Sequence, residues 1–412
     1  MKLKKNNSKS ANYISSADAQ RIARANRRIT NQMTKQFNRK KLQESEYLTT
    51  MKDTGNVVEF DNLHTSFFTD IGTVKAVDGV SFDIPIGKTV GVVGESGCGK
   101  SVTSLSLMQL LQRPQGQIVS GGIRLNMGDK AYNVANMTGT AMQKIRGNVV
   151  SMIFQEPMTS LNPVFRIGAQ LDEVIELHGA EKLSVNYNKQ RVTEDTGRTR
   201  TEIELTVKTR KNLIRERTIE MLELVGIANA KGVCDMYPHE LSGSMRQRVM
   251  IAMALACDPR LIIADEPTTA LDVTIQAQIL DLLRGLKDKI NSSIMLITHD
   301  LGVIAEMADY VVVMYAGRIV ERGTVAEIFE NPCHPYTIGL MESKPVLNKR
   351  VERLYSIPGK VPNPIDMPDY CYFRDRCERC IDSCKGAYPP EYRLTGSHGV
   401  ACYRYAEEGD AK

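Results

Sequence analysis

A glycine-rich loop with a fixed spacing is the feature that most constrains this chain. Residues 94–101 read Gly-Glu-Ser-Gly-Cys-Gly-Lys-Ser, which fits the phosphate-binding pattern G-x-x-x-x-G-K-[ST] at every fixed position. The apolar run 89–93 is typical of a buried strand, and residues 102–108 favour a helix. Glycines let the backbone wrap closely around phosphate oxygens, to which the loop amides donate. The sequence therefore predicts a nucleoside triphosphate site.

Individual positions of this loop have predicted roles. Lys100 is expected to reach the β- and γ-phosphates, and the Ser101 hydroxyl to ligate Mg²⁺. The alternative is a glycine-rich turn that matches by chance, and the strand before it and the helix after it argue against that interpretation. The remaining residues that we expect to contact the nucleotide here are Gly94, Glu95, Ser96, Gly97, Cys98, Gly99 and Val102.

Composition and charge limit the class of protein. The 412 residues, 42% of them hydrophobic and 25% charged, suffice for more than one domain. No apolar run approaches the length of a membrane-spanning helix, and no signal-peptide core follows the N-terminus, so we expect a cytoplasmic protein. Residues 1–42 carry 12 Lys/Arg and one acidic residue, a balance of +11 within a net charge of +5. This asymmetry argues against a chain that binds nucleic acid.

Residues 1–50 form a basic N-terminal extension with two interpretations. One is an amphipathic anchor on an anionic membrane surface or on a partner protein, and the other is a frayed, solvated segment. The thin apolar stripe favours the second. A helix capped by residues 15–18 would carry these apolar side chains on one side: Ile22, Ile29, Met33 and Phe37.

The pattern of the following residues predicts an α/β domain over residues 51–325. Short alternating runs from 57 to 125 predict strands, and the stretch of about 165–250 is mainly helical. From 261 to 320 strands and helices alternate, as they do in a parallel sheet with crossover helices. These patterns together predict a sheet covered by helices and a separate helical part.

Two segments interrupt or end this domain. Within the helical part, residues 185–210 are predicted to be an insertion. It is either a protruding hairpin, in which the alternating strand residues 202–207 follow a Thr-Gly turn, or a disordered segment. Prolines become frequent beyond residue 331, and five of the nine cysteines lie between 371 and 402. We therefore place a boundary near residue 325 and expect a small cysteine-rich domain over residues 326–412.

Two adjacent carboxylates complete the predicted nucleotide site. Residues 261–266 read Leu-Ile-Ile-Ala-Asp-Glu, an apolar strand that ends in two acidic side chains. Asp265 is expected to hold Mg²⁺ through water, and Glu266 to act as the general base that polarises the attacking water. The pair is weak by itself and becomes specific because a phosphate-binding loop precedes it.

Four further positions narrow the class. Residues 241–248 read Leu-Ser-Gly-Ser-Met-Arg-Gln-Arg before an apolar helix, and this segment resembles the signature motif of ATP-binding cassette (ABC) proteins. Gln155, Asp272 and His299 resemble the Q-loop, D-loop and switch histidine of that family, in the family's order. The resemblance implies an ABC-type P-loop nucleotide-binding domain with a RecA-like core, an antiparallel β subdomain and a helical subdomain. It implies an ATPase.

The resemblance also implies how ATP is held. Two cassettes pair head to tail, so each ATP lies between the phosphate loop of one subunit and the signature of the other. The signature residues would be Ser242, Gly243 and Ser244, and Asp272 would also belong to the nucleotide site. Gln155 would sense Mg²⁺ as a ligand and His299 would contact the γ-phosphate.

Two positions need separate comment. The adenine of ATP would stack on Phe67, with Phe68 as the alternative. Ser244 stands where the family usually has glycine, and its Cβ either crowds the phosphate and weakens that site or is tolerated. The sequence leaves both possibilities open.

Longer stretches resemble the ATPase subunits of bacterial oligopeptide and dipeptide permeases. The resemblance spans roughly residues 56–405 and implies a subunit that powers peptide import from the cytoplasmic face of the cell membrane. Its partners would be a second, homologous ATPase subunit, two membrane-spanning permease subunits and an extracellular binding protein. The alternatives are an importer of nickel or sugar, a soluble ABC ATPase outside transport and a non-hydrolysing structural subunit. The stretches include 237–240, 264–274, 298–303, 313–317 and 334–337.

The C-terminal cysteines follow the spacing Cys371-x5-Cys377-x6-Cys384-x17-Cys402. Four thiolates suit an iron–sulfur cluster or tetrahedral zinc. The resemblance implies a [4Fe–4S] cluster on these four residues, with zinc or free thiols as alternatives and Cys380 as an alternative third ligand. We expect loss of the cluster to loosen residues 365–405 and weaken assembly, and to leave ATP binding at Lys100 intact. The other cysteines are expected to be packing residues: Cys98, Cys234, Cys257 and Cys333.

Overall fold

A computed structural model describes residues 15–156, 160–179, 183, 207–268, 272–343, 355–407 and 410–411. Within these residues the strands form a five-stranded sheet of order β1-β6-β5-β2-β3 and a nine-stranded sheet of order β14-β12-β13-β11-β10-β4-β9-β8-β7. The strands are β1 Leu48–Thr49, β2 Asn56–Thr69, β3 Gly72–Pro85, β4 Thr89–Val93, β5 Gly116–Asn126, β6 Ala131–Asn133, β7 Val150–Ile153, β8 Leu261–Asp265, β9 Ser293–Ile297, β10 Tyr310–Tyr315, β11 Arg318–Thr324, β12 Tyr392–Arg393, β13 Gly399–Val400 and β14 Asp410–Ala411.

Helices surround both sheets. The α-helices of the described residues are α1 Ser16–Phe37, α2 Lys100–Leu107, α3 Gly139–Met142, α4 Ile167–His178, α5 Val207–Leu224, α6 Ala230–Val233, α7 Gly243–Leu255, α8 Val273–Ile290, α9 Leu301–Met307, α10 Val325–Glu330 and α11 Pro335–Glu342. Among them, none is both long and apolar enough to cross a bilayer.

The parallel part of the large sheet positions the site. Strand β4 pairs in parallel with β10 and β9, and β8 pairs in parallel with β9 and β7. Strands β4, β8 and β9 are buried at all five positions, as parallel strands covered on both faces are. Since parallel strands end at the same edge, the loops that follow β4, β7, β8 and β9 lie next to one another.

Alternate residues of these strands enter two different cores. In β9, Ile294 and Leu296 pack with the helices α4, α5 and α7, whereas Met295 and Ile297 pack with the five-stranded sheet. That sheet is antiparallel throughout, and the stacked rings of Phe60 and Phe82, 4.5 Å apart, join β2 to β3. The predicted combination of a parallel core, an antiparallel β subdomain and a helical subdomain is confirmed.

The insertion predicted at residues 185–210 lies almost entirely outside the described residues. The structure resumes at Val207, the first residue of α5, which the predicted hairpin had included as its last strand residue. Helix α5 then packs against α4 and α7 through Ile214 and Leu222, which are buried. The hairpin interpretation is therefore wrong for Val207 itself.

The basic N-terminal extension forms helix α1, which packs on the antiparallel sheet. The Ser15 hydroxyl caps its first turn, and the Asn26 side-chain amide donates to the carbonyl oxygen of Thr69 at 2.8 Å. The Arg113 guanidinium lies 3.8 Å from the ring centroid of Phe37. The interpretation of a frayed extension is therefore wrong for residues 16–37, because polar and cation–π contacts add to the thin apolar stripe.

The C-terminal residues add strands to the large sheet. Strand β13 pairs with β11, and β12 pairs with both β13 and β14. A fully buried carboxylate fastens this addition: Glu321 accepts from the amides of Cys333 at 2.7 Å and His334 at 2.8 Å. Its Oε1 also lies 2.8 Å from Nε2 of His398, so three segments meet on one side chain.

Candidate functional site

The phosphate-binding loop joins β4 to α2 with a backbone that requires glycine. Gly99 has φ +102° at the N-terminus of α2, and a Cβ there would lie 2.3 Å from the carbonyl oxygen of Ala76. A Cβ on Gly94 would lie 2.1 Å from the carbonyl oxygen of Met314. Side chains at either position would therefore displace the loop, which explains the spacing of the sequence pattern.

The lysine and serine of the loop lie where the pattern predicts. Lys100 is buried, and its Nζ donates to the carbonyl oxygens of Gly94 at 2.8 Å and Glu95 at 3.1 Å. The Ser101 hydroxyl donates to Oδ1 of Asp265 at 3.1 Å. Burial raises the pKa of the Asp265 carboxyl, and the Ser101 hydrogen bond opposes this rise. Two of the three residues predicted to hold magnesium are thus adjacent.

Glu266 lies at the centre of the predicted hydrolytic residues. Directly after β8 its φ is +47°, and its amide donates to the carbonyl oxygen of Ile297 at 2.8 Å. Its Oε2 accepts from Nε2 of Gln155 at 2.9 Å, and its Oε1 lies 3.2 Å from Nδ1 of His299. Three residues that follow β7, β8 and β9 are therefore brought together on one carboxylate.

The signature residues form the N-terminus of α7. The Ser242 hydroxyl accepts from the Met245 amide at 3.2 Å and lies 3.1 Å from the Ser244 hydroxyl. Ser242 and Gly243 are exposed, and a Cβ on Gly243 would meet nothing within 4 Å. This end of the helix is therefore open to solvent.

Two connections at this edge involve the neighbouring loops. Gln247, which is 2% exposed, donates from Nε2 to the carbonyl oxygen of Pro267 at 2.5 Å, so the signature helix touches the residue after Glu266. No pattern in the sequence predicts this contact. Asp272 caps α8 by accepting from the Ile275 amide at 2.9 Å. Residues 269–271 lie outside the described residues.

The two aromatic candidates for adenine stacking occupy adjacent positions of β2. Phe67 is half-buried and its ring lies against Gly116, where a Cβ would be 2.9 Å from Cε1. Phe68 is also half-buried and, as the next residue of the strand, points to the opposite face. The role of either ring remains a prediction.

Two contacts to the phosphate-binding loop come from residues beyond 325, and sequence reasoning missed both. The Glu95 carboxylate pairs with the Arg376 guanidinium through two contacts, 2.9 Å from Nη1 and 3.0 Å from Nη2. The Glu95 amide donates to the Tyr336 hydroxyl at 2.8 Å. These partners are 281 and 241 residues away in the chain. Tyr336 lies in the stretch 334–337 that carries the resemblance, but no pattern there predicts this contact.

The four predicted thiol ligands converge in the structure. Cys384 and Cys402 are buried, Cys371 and Cys377 are half-buried, and Cys380 is exposed. Burial first, and then the neighbouring thiols of the other three predicted ligands, raise the pKa of Cys371 to about 12. Burial likewise raises the pKa of Cys402 to about 11. The remaining cysteines, Cys98, Cys234, Cys257 and Cys333, are buried.

Comparison with known proteins gives the family. A family described as "ABC transporter" matches residues 77–269, and one described as "Oligopeptide/dipeptide transporter, C-terminal region" matches residues 320–384. The oligopeptide transport ATP-binding protein AppD of Bacillus subtilis (strain 168) is 47% identical over 86% of this chain and 98% of its own length.

Further relatives agree. The oligopeptide transport ATP-binding protein OppD of Haemophilus influenzae (strain ATCC 51907) is 44% identical over 85% of this chain and 98% of its own length. Among solved structures, the dimeric MJ0796, a bacterial ABC transporter cassette, superposes with a TM-score of 0.51 at 22% identity, covering 65% of this chain and 98% of that one. At that identity the likeness shows the fold alone. The sequence matches show that the chain belongs to the ATP-binding subunits of the oligopeptide/dipeptide ABC transporter family and is an ATPase.

Proposed function

We propose that this chain powers the import of oligopeptides or dipeptides by an ABC transporter. The observation that carries the proposal is identity of 44–47% to relatives named as oligopeptide or dipeptide transport ATP-binding proteins, over 94–98% of their length. The match to the oligopeptide/dipeptide transporter C-terminal region at residues 320–384 adds to it.

The residues of the site support a definite division of roles in hydrolysis. Glu266 is the general base that takes a proton from the attacking water, because its carboxylate is oriented from both sides by Gln155 and His299. Lys100 and the loop amides bind the β- and γ-phosphates. His299, whose side chain is 65% exposed, contacts the γ-phosphate. The chemistry needs no covalent intermediate, only positioning and charge stabilisation.

Mg²⁺ fits the same edge of the sheet. Ser101, Gln155 and Asp265 offer hydroxyl, amide and carboxylate oxygens, the ligand types that this hard cation prefers. The 3.1 Å contact between Ser101 and Asp265 supports a shared ligand position. When bound with ATP, the ion neutralises charge on the phosphates.

The open signature supports a site shared between subunits. Ser242, Gly243 and Ser244 would contact the ATP held by a second, homologous ATPase subunit, with Asp272 at the same interface. Two membrane-spanning permease subunits would receive the movement of the two ATPase subunits as they close on ATP. The protein would then lie at the cytoplasmic face of the cell membrane, and an extracellular binding protein would deliver peptide. We also propose that the chain is divided into an N-terminal extension, an ATPase domain and a C-terminal domain, at residues 1–50, 51–325 and 326–412.

The converging thiols support a [4Fe–4S] cluster on Cys371, Cys377, Cys384 and Cys402. Tetrahedral zinc with bonds of about 2.3 Å needs its sulfurs about 3.8 Å apart. Among the described residues, three metal-ligating atoms lie within 4.8 Å of one another at Glu321, Cys333 and His398, and not among these thiols. No three of these thiols lie that close to one another, which favours a cluster over a single ion. The exposure of Cys380 supports Cys384 as third ligand.

Reconstitution tests the proposed transport. The chain, a second ATPase subunit and two permease subunits are placed in liposomes with the binding protein, and uptake of labelled peptides is measured. We expect ATP-dependent uptake of peptides, and ATPase activity that is low for the isolated chain and rises on assembly. Uptake of nickel or sugar in place of peptide would contradict the substrate class. High activity that partners leave unchanged would favour an ATPase outside transport.

A further inference from the structure

The Arg376 guanidinium packs against the phosphate-binding loop. Its side chain is 6% exposed, and it binds both carboxylate oxygens of Glu95, whose side chain is 27% exposed. Two parallel N–H···O bonds of this kind fix direction as well as distance. The pair therefore fixes the orientation of the Glu95 side chain relative to the C-terminal residues.

The other donors of Arg376 anchor it among those residues. Its Nε donates to the carbonyl oxygen of Pro358 at 2.9 Å, and its Nη1 to the Tyr315 hydroxyl at 3.3 Å. It ends the short turn Arg374–Arg376, directly before Cys377. A displacement of the thiol-bearing segment would therefore move this guanidinium.

The backbone of Glu95 is hydrogen-bonded to the lysine of the nucleotide site. Its carbonyl oxygen accepts from Nζ of Lys100 at 3.1 Å, and its amide is held by Tyr336. The backbone of one residue thus connects Arg376 to the lysine that binds phosphate. In addition, an unpaired carboxylate here would repel the polyphosphate, and the guanidinium cancels that charge.

We propose that Arg376 is a positioning residue of the ATP site, which makes the cysteine-bearing segment a support of the phosphate-binding loop. The inference rests on ATP binding at this loop and is independent of what the four thiols hold. A loosened segment would then weaken ATP binding, contrary to the expectation from the sequence that loss of the cluster leaves ATP binding at Lys100 intact.

Replacement of Glu95 separates positioning from simple charge. Glu95→Gln removes a negative charge from a site for a polyanion, so charge alone predicts tighter binding of MgATP. Loss of positioning predicts binding weakened by about tenfold, the usual cost of breaking a charged hydrogen-bonded pair. The dissociation constant is measured on the full chain by displacement of a fluorescent ATP analogue.

Variants at Arg376 complete a double-mutant cycle with Glu95→Gln. Arg376→Gln should weaken binding to a similar degree, and Arg376→Lys should weaken it less. The double variant Arg376→Gln with Glu95→Gln should bind no more weakly than the single variant that binds more weakly. Arg374→Gln is the matched control, because Arg374 lies over the Tyr370 ring and contacts Asp375 rather than the loop. In the assembled transporter, the KM for ATP should rise while kcat stays within about twofold, since Glu266 and its partners are untouched.

Two results would overturn the inference. One is binding by Glu95→Gln that equals or exceeds the affinity of the unmodified chain, which needs no folding assumption about Arg376. The other is additivity of the Glu95 and Arg376 effects, which would show that the two residues act independently.

Discussion

Glu266 has a backbone conformation that residues other than glycine seldom adopt. Its φ of +47° lies in the left-handed region, at a cost of about 1 kcal/mol for a residue with a Cβ. The turn brings the carboxylate against Gln155 and His299, one following each flanking strand. The strain is therefore part of how the end of β8 brings the proposed base against these two side chains.

Ser244 tests whether the two ATP sites of the assembly differ. Its hydroxyl lies 3.1 Å from that of Ser242, at the exposed start of α7. If its Cβ crowds phosphate, Ser244→Gly raises turnover at the site formed with the partner's phosphate loop by about two- to tenfold. The test is steady-state hydrolysis by an assembly in which this chain carries Lys100→Ala, so that only that site is active. An unchanged or lower rate would show that serine is tolerated.

At the scale of elements, the C-terminal strands are fastened to the ATPase domain by buried polar groups. Glu321 accepts from two amides and lies against His398, and this satisfies the carboxylate without a metal ion. Burial alone would lower the pKa of His398, but hydrogen bonds to Cys333 and Glu321 and the Glu321 charge raise it to about 10. The imidazole is therefore charged in the folded protein at neutral pH.

This charge makes part of the stability depend on pH. Because the pKa rises from about 6.5 unfolded, the contribution is complete below that pH and is lost as pH rises through about 10. We expect His398→Gln to destabilise the chain by about 2 kcal/mol at pH 6 and by much less at pH 10. Denaturant unfolding at both values measures this, with exposed His239→Gln as the control. Equal destabilisation at both pH values would contradict the assignment.

The thiol-bearing segment has a direct spectroscopic test. Protein purified without oxygen should be brown, absorb near ~400 nm and contain about four irons and four sulfides per chain. Serine at Cys371, Cys377, Cys384 or Cys402 should bleach it, while Cys380→Ser keeps most of the colour. Colourless protein with stoichiometric zinc would replace the cluster by a zinc site. Bleaching in the Cys380 variant would mean that Cys380, and not Cys384, is the third ligand.

At the scale of the whole molecule, what could be predicted followed from strand order. Lys100, Gln155, Glu266 and His299 each follow a buried parallel strand, so their meeting at one edge follows from the chain pattern. The pairing of Glu95 with Arg376 could not be predicted, because it depends on how residues 281 positions apart pack. The packing of α1 on the antiparallel sheet could not be predicted either, because polar contacts supplement its weak apolar stripe.

All of the proposed roles depend on one claim, that this chain hydrolyses ATP with Glu266 as base at a site completed by a partner's signature. The measurement is single-turnover hydrolysis by the assembled transporter, with ATP binding measured in parallel. For Glu266→Gln we predict retained ATP binding, an assembly that accumulates in the ATP-bound state, and a rate at this site lower by about a hundredfold or more. Lys100→Ala should instead lose nucleotide affinity. Hydrolysis by Glu266→Gln at the rate of the unmodified chain would contradict the account.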